Sequence, residues 1–167
     1  MTVIQKSILS VMAVILAVMV CAAVYLAVFW NPGTVRGDFV PPDFDPAAIS
    51  GVPENIPGER RYGTLTLDAN AVVSLCANIY IENNAAQVYF TSKKGNVGWI
   101  KIKLIDTNGS LLGESGLLRP GEYIPAIMLT EAPDKAALVQ VKILIYEPET
   151  YLSLGSAQAQ VMLIPEP

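Results

Sequence analysis

Two carboxylate pairs stand at a spacing that general acid–base chemistry could use, Asp43 with Asp45 and Glu147 with Glu149. Each pair adjoins a proline in a segment expected to be exposed, where nothing would raise a carboxyl pKa, so solvated turn charges explain them better. Asp106-Thr107-Asn108-Gly109 offers several oxygen ligands but lacks the acidic residue that closes a twelve-residue calcium loop, and a hairpin turn accounts for it fully. Cys76 has no second cysteine nearby to resolve an oxidised form, so a buried strand position is expected rather than a redox site. Histidine is absent from the chain, which removes the commonest general base and the imidazole ligands of most zinc and copper sites. No enzyme activity, metal or cofactor is therefore expected. Arg36-Gly37-Asp38 matches the tripeptide that integrins read, but it lies too close to the expected membrane edge for a large receptor to approach.

One cluster could bind without catalysing. Trp99, Lys101 and Lys103 alternate along one strand, with Lys93 and Lys94 on the adjacent turn-rich loop, and cations beside an aromatic ring could meet an anionic wall polymer or glycan. The plainer reading is a solvated sheet face whose lysines discourage edge pairing. No nucleic-acid partner is expected. A formal net charge of −4 and a pI near 4.8 cannot replace the counterions around phosphates.

The elements that would carry these residues begin with an oily segment. Mean hydropathy is +0.42, high for an ordinary soluble domain. Residues 8–30 hold no charge, proline or glycine, and as a helix they would span about 35 Å, enough to cross a bilayer. Tyr25, Phe29 and Trp30 gather at the far end, where amphipathic rings favour the headgroup layer. Lys6 precedes the run, so residues 1–7 are expected in the cytoplasm and everything after Trp30 outside, as a single-pass signal anchor. The run is too long and ends too bulkily for a cleaved signal peptide, and Val18-Met19-Val20 lacks the small residue a lipidated Cys21 would need before it.

Residues 31–61, with prolines at 32, 41, 42, 46, 53 and 57, read as an extended semi-rigid stalk. Residues 62–167 then switch to period two. Val73, Leu75, Ala77, Ile79 and Ile81 share a face, as do Ile100, Ile102 and Leu104, and later Val139, Val141, Ile143 and Ile145. Asn83-Asn84, Asn108-Gly109 (as a type I′ turn) and Pro120-Gly121 supply turns, and Pro125 marks an edge strand. Seven or eight short strands predict an all-β, immunoglobulin- or fibronectin-III-like antiparallel sandwich behind one transmembrane helix.

The anchor, the proline-rich segment, the hairpin Ile105-Asp106-Thr107-Asn108-Gly109-Ser110 and the stretch Ser115–Ile124 together resemble small, mostly uncharacterised, membrane-anchored extracytoplasmic β-sandwich proteins of Gram-positive bacteria. The resemblance implies compartment and architecture, and no catalytic residues. The expected function is an extracytoplasmic binding or scaffolding module of the cell envelope, touching lipid through residues 8–30 and an envelope protein or anionic wall polymer through its body. The alternative is a subunit of a pilin-like surface assembly. Gln5 stands where such subunits usually carry glutamate, and Asn31-Pro32-Gly33 ends the helix early, so the anchor reading is preferred.

Overall fold

A computed structural model describes residues 12, 15–16, 18–21, 40–67 and 70–165. The chain divides into two compact units, Met1–Val40 and Pro41–Pro167. In the first, Met12, Ile15, Leu16 and Val18–Cys21 are helical, and every one of these apolar side chains is exposed. Among the described residues, no helix is long and apolar enough to cross a membrane. The rest of the expected span 8–30, residues 31–39 of the expected stalk, and Arg36-Gly37-Asp38 lie outside the described residues.

The second unit is nearly all β, in two sheets. Its strands are β1 (Ile49–Ser50), β2 (Tyr62–Thr66), β3 (Val72–Cys76), β4 (Asn78–Glu82), β5 (Ala85–Ala86) and β6 (Phe90–Ser92). They are followed by β7 (Trp99–Ile105), β8 (Leu111–Glu114), β9 (Glu122–Ile124), β10 (Ile127–Met128), β11 (Ala137–Tyr146) and β12 (Ser153–Pro165). One sheet has the order β1-β9-β6-β3-β2 and the other β10-β5-β4-β12-β11-β7-β8. Strands form where apolar residues alternate. The alternating sets of β7 and β11 are buried as the periodicity demands, and they join Val73, Leu75, Phe90, Ile124 and Leu163 in one core between the sheets.

The chain changes sheets at three places, the first inside the alternation expected to run from Val73 to Ile81. β3 gives way to β4 at exposed Ala77, β5 to β6 across Gln87–Tyr89, and β9 to β10 at Pro125. Pro125 thus stands at a crossing point that leads into β10, the terminal strand of the larger sheet, and its carbonyl accepts the Tyr89 N–H at 3.0 Å. The expected antiparallel pairing also has an exception, since β12 runs parallel to β4 over Met162–Pro165.

The turns follow their residue chemistry. Asn83 and Asn84 both take positive φ, 51° and 62°, and close a two-residue hairpin between β4 and β5. The Asp106–Ser110 hairpin is not the expected type I′. There Gly109 has positive φ and Asn108 does not, because the Asp106 carboxylate accepts the Asn108 and Ser110 N–H groups at 2.8 and 2.7 Å and organises a longer loop.

Residues 41–61, expected as the distal stalk, are folded onto this unit. Leu117 donates to the Asp43 carbonyl and accepts from the Asp45 N–H, both at 2.9 Å, so Asp43–Asp45 lies along the sheet margin beyond β8. The prolines set φ but do not prevent docking, since the carbonyls beside them remain acceptors. β1 then pairs with β9, and a 3-10 turn at Gly58–Arg60 leads into β2.

Candidate functional site

The outer face of the larger sheet gathers the sequence-predicted residues that belong together. Because Ile100, Ile102 and Leu104 take the core side of β7, Trp99, Lys101 and Lys103 point outward. Glu114 on β8 is the Cα partner of Lys103, and its carboxylate receives Lys101 at 2.8 Å and Lys103 at 3.1 Å. Partial burial pushes the Glu114 carboxyl pKa up, but the hydrogen bonds from both lysines outweigh it and hold the group below its ordinary value.

On the other side of β7 lies a lysine the sequence reading did not single out. Lys142 on β11 is the direct Cα partner of Lys103, with Gln140 opposite Ile105, Leu144 opposite Lys101 and Tyr146 opposite Trp99. Among the described residues of β7, β8 and β11, three lysines therefore share this face with a single glutamate, and two of the lysines stand directly cross-strand, where like charges disfavour the sheet. The burial of Val139, Val141 and Ile143 already forces Lys142 outward. What periodicity could not reveal is that β11 lies beside β7.

Trp99 is largely committed to packing. Phe44 meets it edge-on at 4.8 Å between centroids and Tyr151 at 5.2 Å, while the Arg119 guanidinium lies 3.6 Å over the Phe44 ring. Lys93 and Lys94 are placed elsewhere. They line a cavity of about 510 Å³ with Ser50–Val52, Ser92, Pro120 and Gly121, beside β1 and β9, where the Asn96 side chain fixes their loop to Val72.

One carboxylate of each pair considered for chemistry has a structural partner. Asp45 accepts the Ala47 N–H at 2.9 Å and the Gly116 N–H at 2.8 Å, and Glu147 accepts the Thr150 hydroxyl at 2.6 Å within a turn. Among the described residues, no group of three His, Cys, Asp or Glu side chains could hold a metal ion. Cys76 is fully buried, and burial pushes its thiol pKa up to about 11 against the opposing pull of Arg60.

Arg60 is the second residue that periodicity missed. Its Nη2 donates to Glu82 at 2.9 Å and its guanidinium lies over Tyr80 and Tyr89 at 5.1 and 5.5 Å, while Nε and Nη1 are buried without a hydrogen-bond partner. Burial lowers its pKa, but the Glu82 hydrogen bond and nearby groups raise it on balance, so the guanidinium stays charged. Only the proximity of β4 to the 3-10 turn explains this cluster, and no spacing in the sequence announces it.

Compared with known proteins, the chain matches no family model, no curated protein and no solved structure.

Proposed function

We propose that this chain is a membrane-anchored, extracytoplasmic binding or scaffolding module of a Gram-positive envelope, non-catalytic, with an immunoglobulin- or fibronectin-III-like body. The anchor reading is supported by the described helical residues. Val18–Cys21 covers all sides of a helix with apolar side chains, and all are exposed to their surroundings, an arrangement at home in lipid.

The observation that carries the binding reading is the cross-strand pair Lys103 and Lys142. In a chain of net charge −4, two lysines are held opposite one another on a flat face with only Glu114 to neutralise them. An anionic polymer lying across β7 and β11 would relieve that repulsion. Lys101, already only 12% exposed and bonded to Glu114, would position Glu114 rather than meet the ligand. The test is co-sedimentation of the purified full chain with a poly(glycerol phosphate) wall polymer. Lys103→Glu with Lys142→Glu is expected to weaken binding at least tenfold and to flatten its salt dependence; binding unchanged by the double substitution contradicts the reading.

A further inference from the structure

The margins of the larger sheet are treated unequally. Beyond β8, Asp43–Asp45 covers the extension at Leu117, and the β10 end turns back so that the Thr130 N–H reaches the Leu112 carbonyl at 2.7 Å. β12 is different. It is thirteen residues long, yet only Met162–Pro165 pairs with β4, and among the described residues no strand pairs with that same edge over Leu154–Val161.

The direction of its backbone groups follows from one bond. The Met162 N–H donates to the Ala77 carbonyl at 2.9 Å, on the β4 side. Alternate residues of a strand present their N–H and C=O to the same edge, so Gln160, Gln158 and Ser156 present theirs to the open one, and the alternation ends at the bulge where Leu154 has no Cα partner on β11. The segment Leu154-Gly155-Ser156-Ala157-Gln158-Ala159-Gln160 holds no charge and no proline, the devices that usually keep an edge from pairing. Beside it a groove of about 150 Å³ runs between the sheets, lined by Leu65, Leu75, Ala159 and Val161. β2 flanks the same groove, but Arg60 and Arg61 precede it and would face like charges across a two-fold axis.

We propose that a second copy of this chain adds to the open edge of β12, antiparallel, about a two-fold axis near Ala157. The segment complements itself in that register. Ser156 meets Gln158 as a hydrogen-bonded pair on each side of the axis, while Ala157 meets Ala157 as a non-hydrogen-bonded pair with Cα atoms roughly 4.5 Å apart. No charged residue stands within the paired segments; Ala157 packs against the core, and Ala159 lines the groove, whose β2 side carries Arg61. The interface is isologous, so it closes at the dimer. It does not depend on what the lysine face binds.

The full chain in detergent micelles tests this. With Cys21→Ser, Ala157→Cys is expected to give a disulfide-linked dimer under mild oxidation, whereas Lys135→Cys on a distant exposed loop does not. Gln158→Pro removes an N–H that has no partner in the single copy, so it is expected to weaken dimerisation at least tenfold in sedimentation equilibrium while leaving the far-ultraviolet circular dichroism unchanged. A wild-type chain that stays monomeric at roughly 100 µM, well above the micromolar range of ordinary dimers, overturns the proposal. So does equal cross-linking at the two cysteine positions, or a dimer untouched by Gln158→Pro, which would place association elsewhere.

Discussion

Single residues decide which groups are free for chemistry. The Cys76 thiol is buried and its pKa raised to about 11, so thiol reagents should leave it unmodified in the folded chain at pH 8 and modify it once the chain is unfolded. A raised folded pKa binds the proton more tightly than the unfolded chain does, so the stabilisation is complete below the unfolded value near 9 and lost as pH climbs toward 11. Denaturant midpoints measured from pH 8 to 11 should fall more steeply for the wild type than for Cys76→Ala; parallel slopes would contradict the shift. Glu114 behaves in the opposite sense. Its lowered folded pKa gives stability that is present above the ordinary glutamate range and lost as pH falls through the folded value, and Glu114→Gln should flatten that acid limb. Lys142→Glu should turn a like-charge cross-strand pair into an opposite-charge one, stabilising the fold by about 0.2–1 kcal/mol in equilibrium unfolding.

At the scale of elements, the most specific contact is that of the proline-rich segment with the sheet margin. A Cβ at Gly116 would come within 2.5–2.8 Å of the backbone of Phe44 and Asp45, so Gly116→Ala must push the Asp43–Asp45 segment away. We expect a loss of about 1–3 kcal/mol in chemical unfolding, together with earlier proteolysis within residues 41–48. An unchanged midpoint would show that this segment contributes nothing. Much of the strand content was legible, because β7 and β11 each bury every second residue and their inward sets follow from the alternation alone. The sheet crossings were not. At Ala77 and Gln87–Tyr89 the chain changes sheets without breaking the parity of its apolar residues, and alternation records the face turned to the core, not which sheet supplies it; at Pro125 the buried set shifts by one, from Ile124 to Ile127 and Leu129. Proline count likewise misled over residues 41–61, since the docking bonds use the backbone of Asp43 and Asp45 and the carboxylate of Asp45. The candidate face was half visible, with Trp99, Lys101 and Lys103 aligned by period two and Lys142 hidden until strand order placed it opposite Lys103.

For the whole molecule, the apolar run 8–30 of the sequence argues for an anchor, and the two sheets form the body that follows it. In sequence, an apolar helical segment precedes a body whose strands enclose one core and in which the Asp45, Asp106 and Glu147 carboxylates hold turns and loops together. The central proposal is that the segment stays in the membrane and the body is displayed outside. The most direct measurement is labelling of intact, wall-stripped cells with a membrane-impermeant maleimide, using a chain in which Cys21→Ser removes the exposed helical thiol and Lys135→Cys adds one on an exposed loop. Buried Cys76 should stay silent, so the signal reports one site. We predict full labelling at position 135 before lysis, with the chain retained in the membrane fraction after carbonate extraction. Labelling that appears only after lysis, or a chain recovered in the soluble fraction, would contradict it.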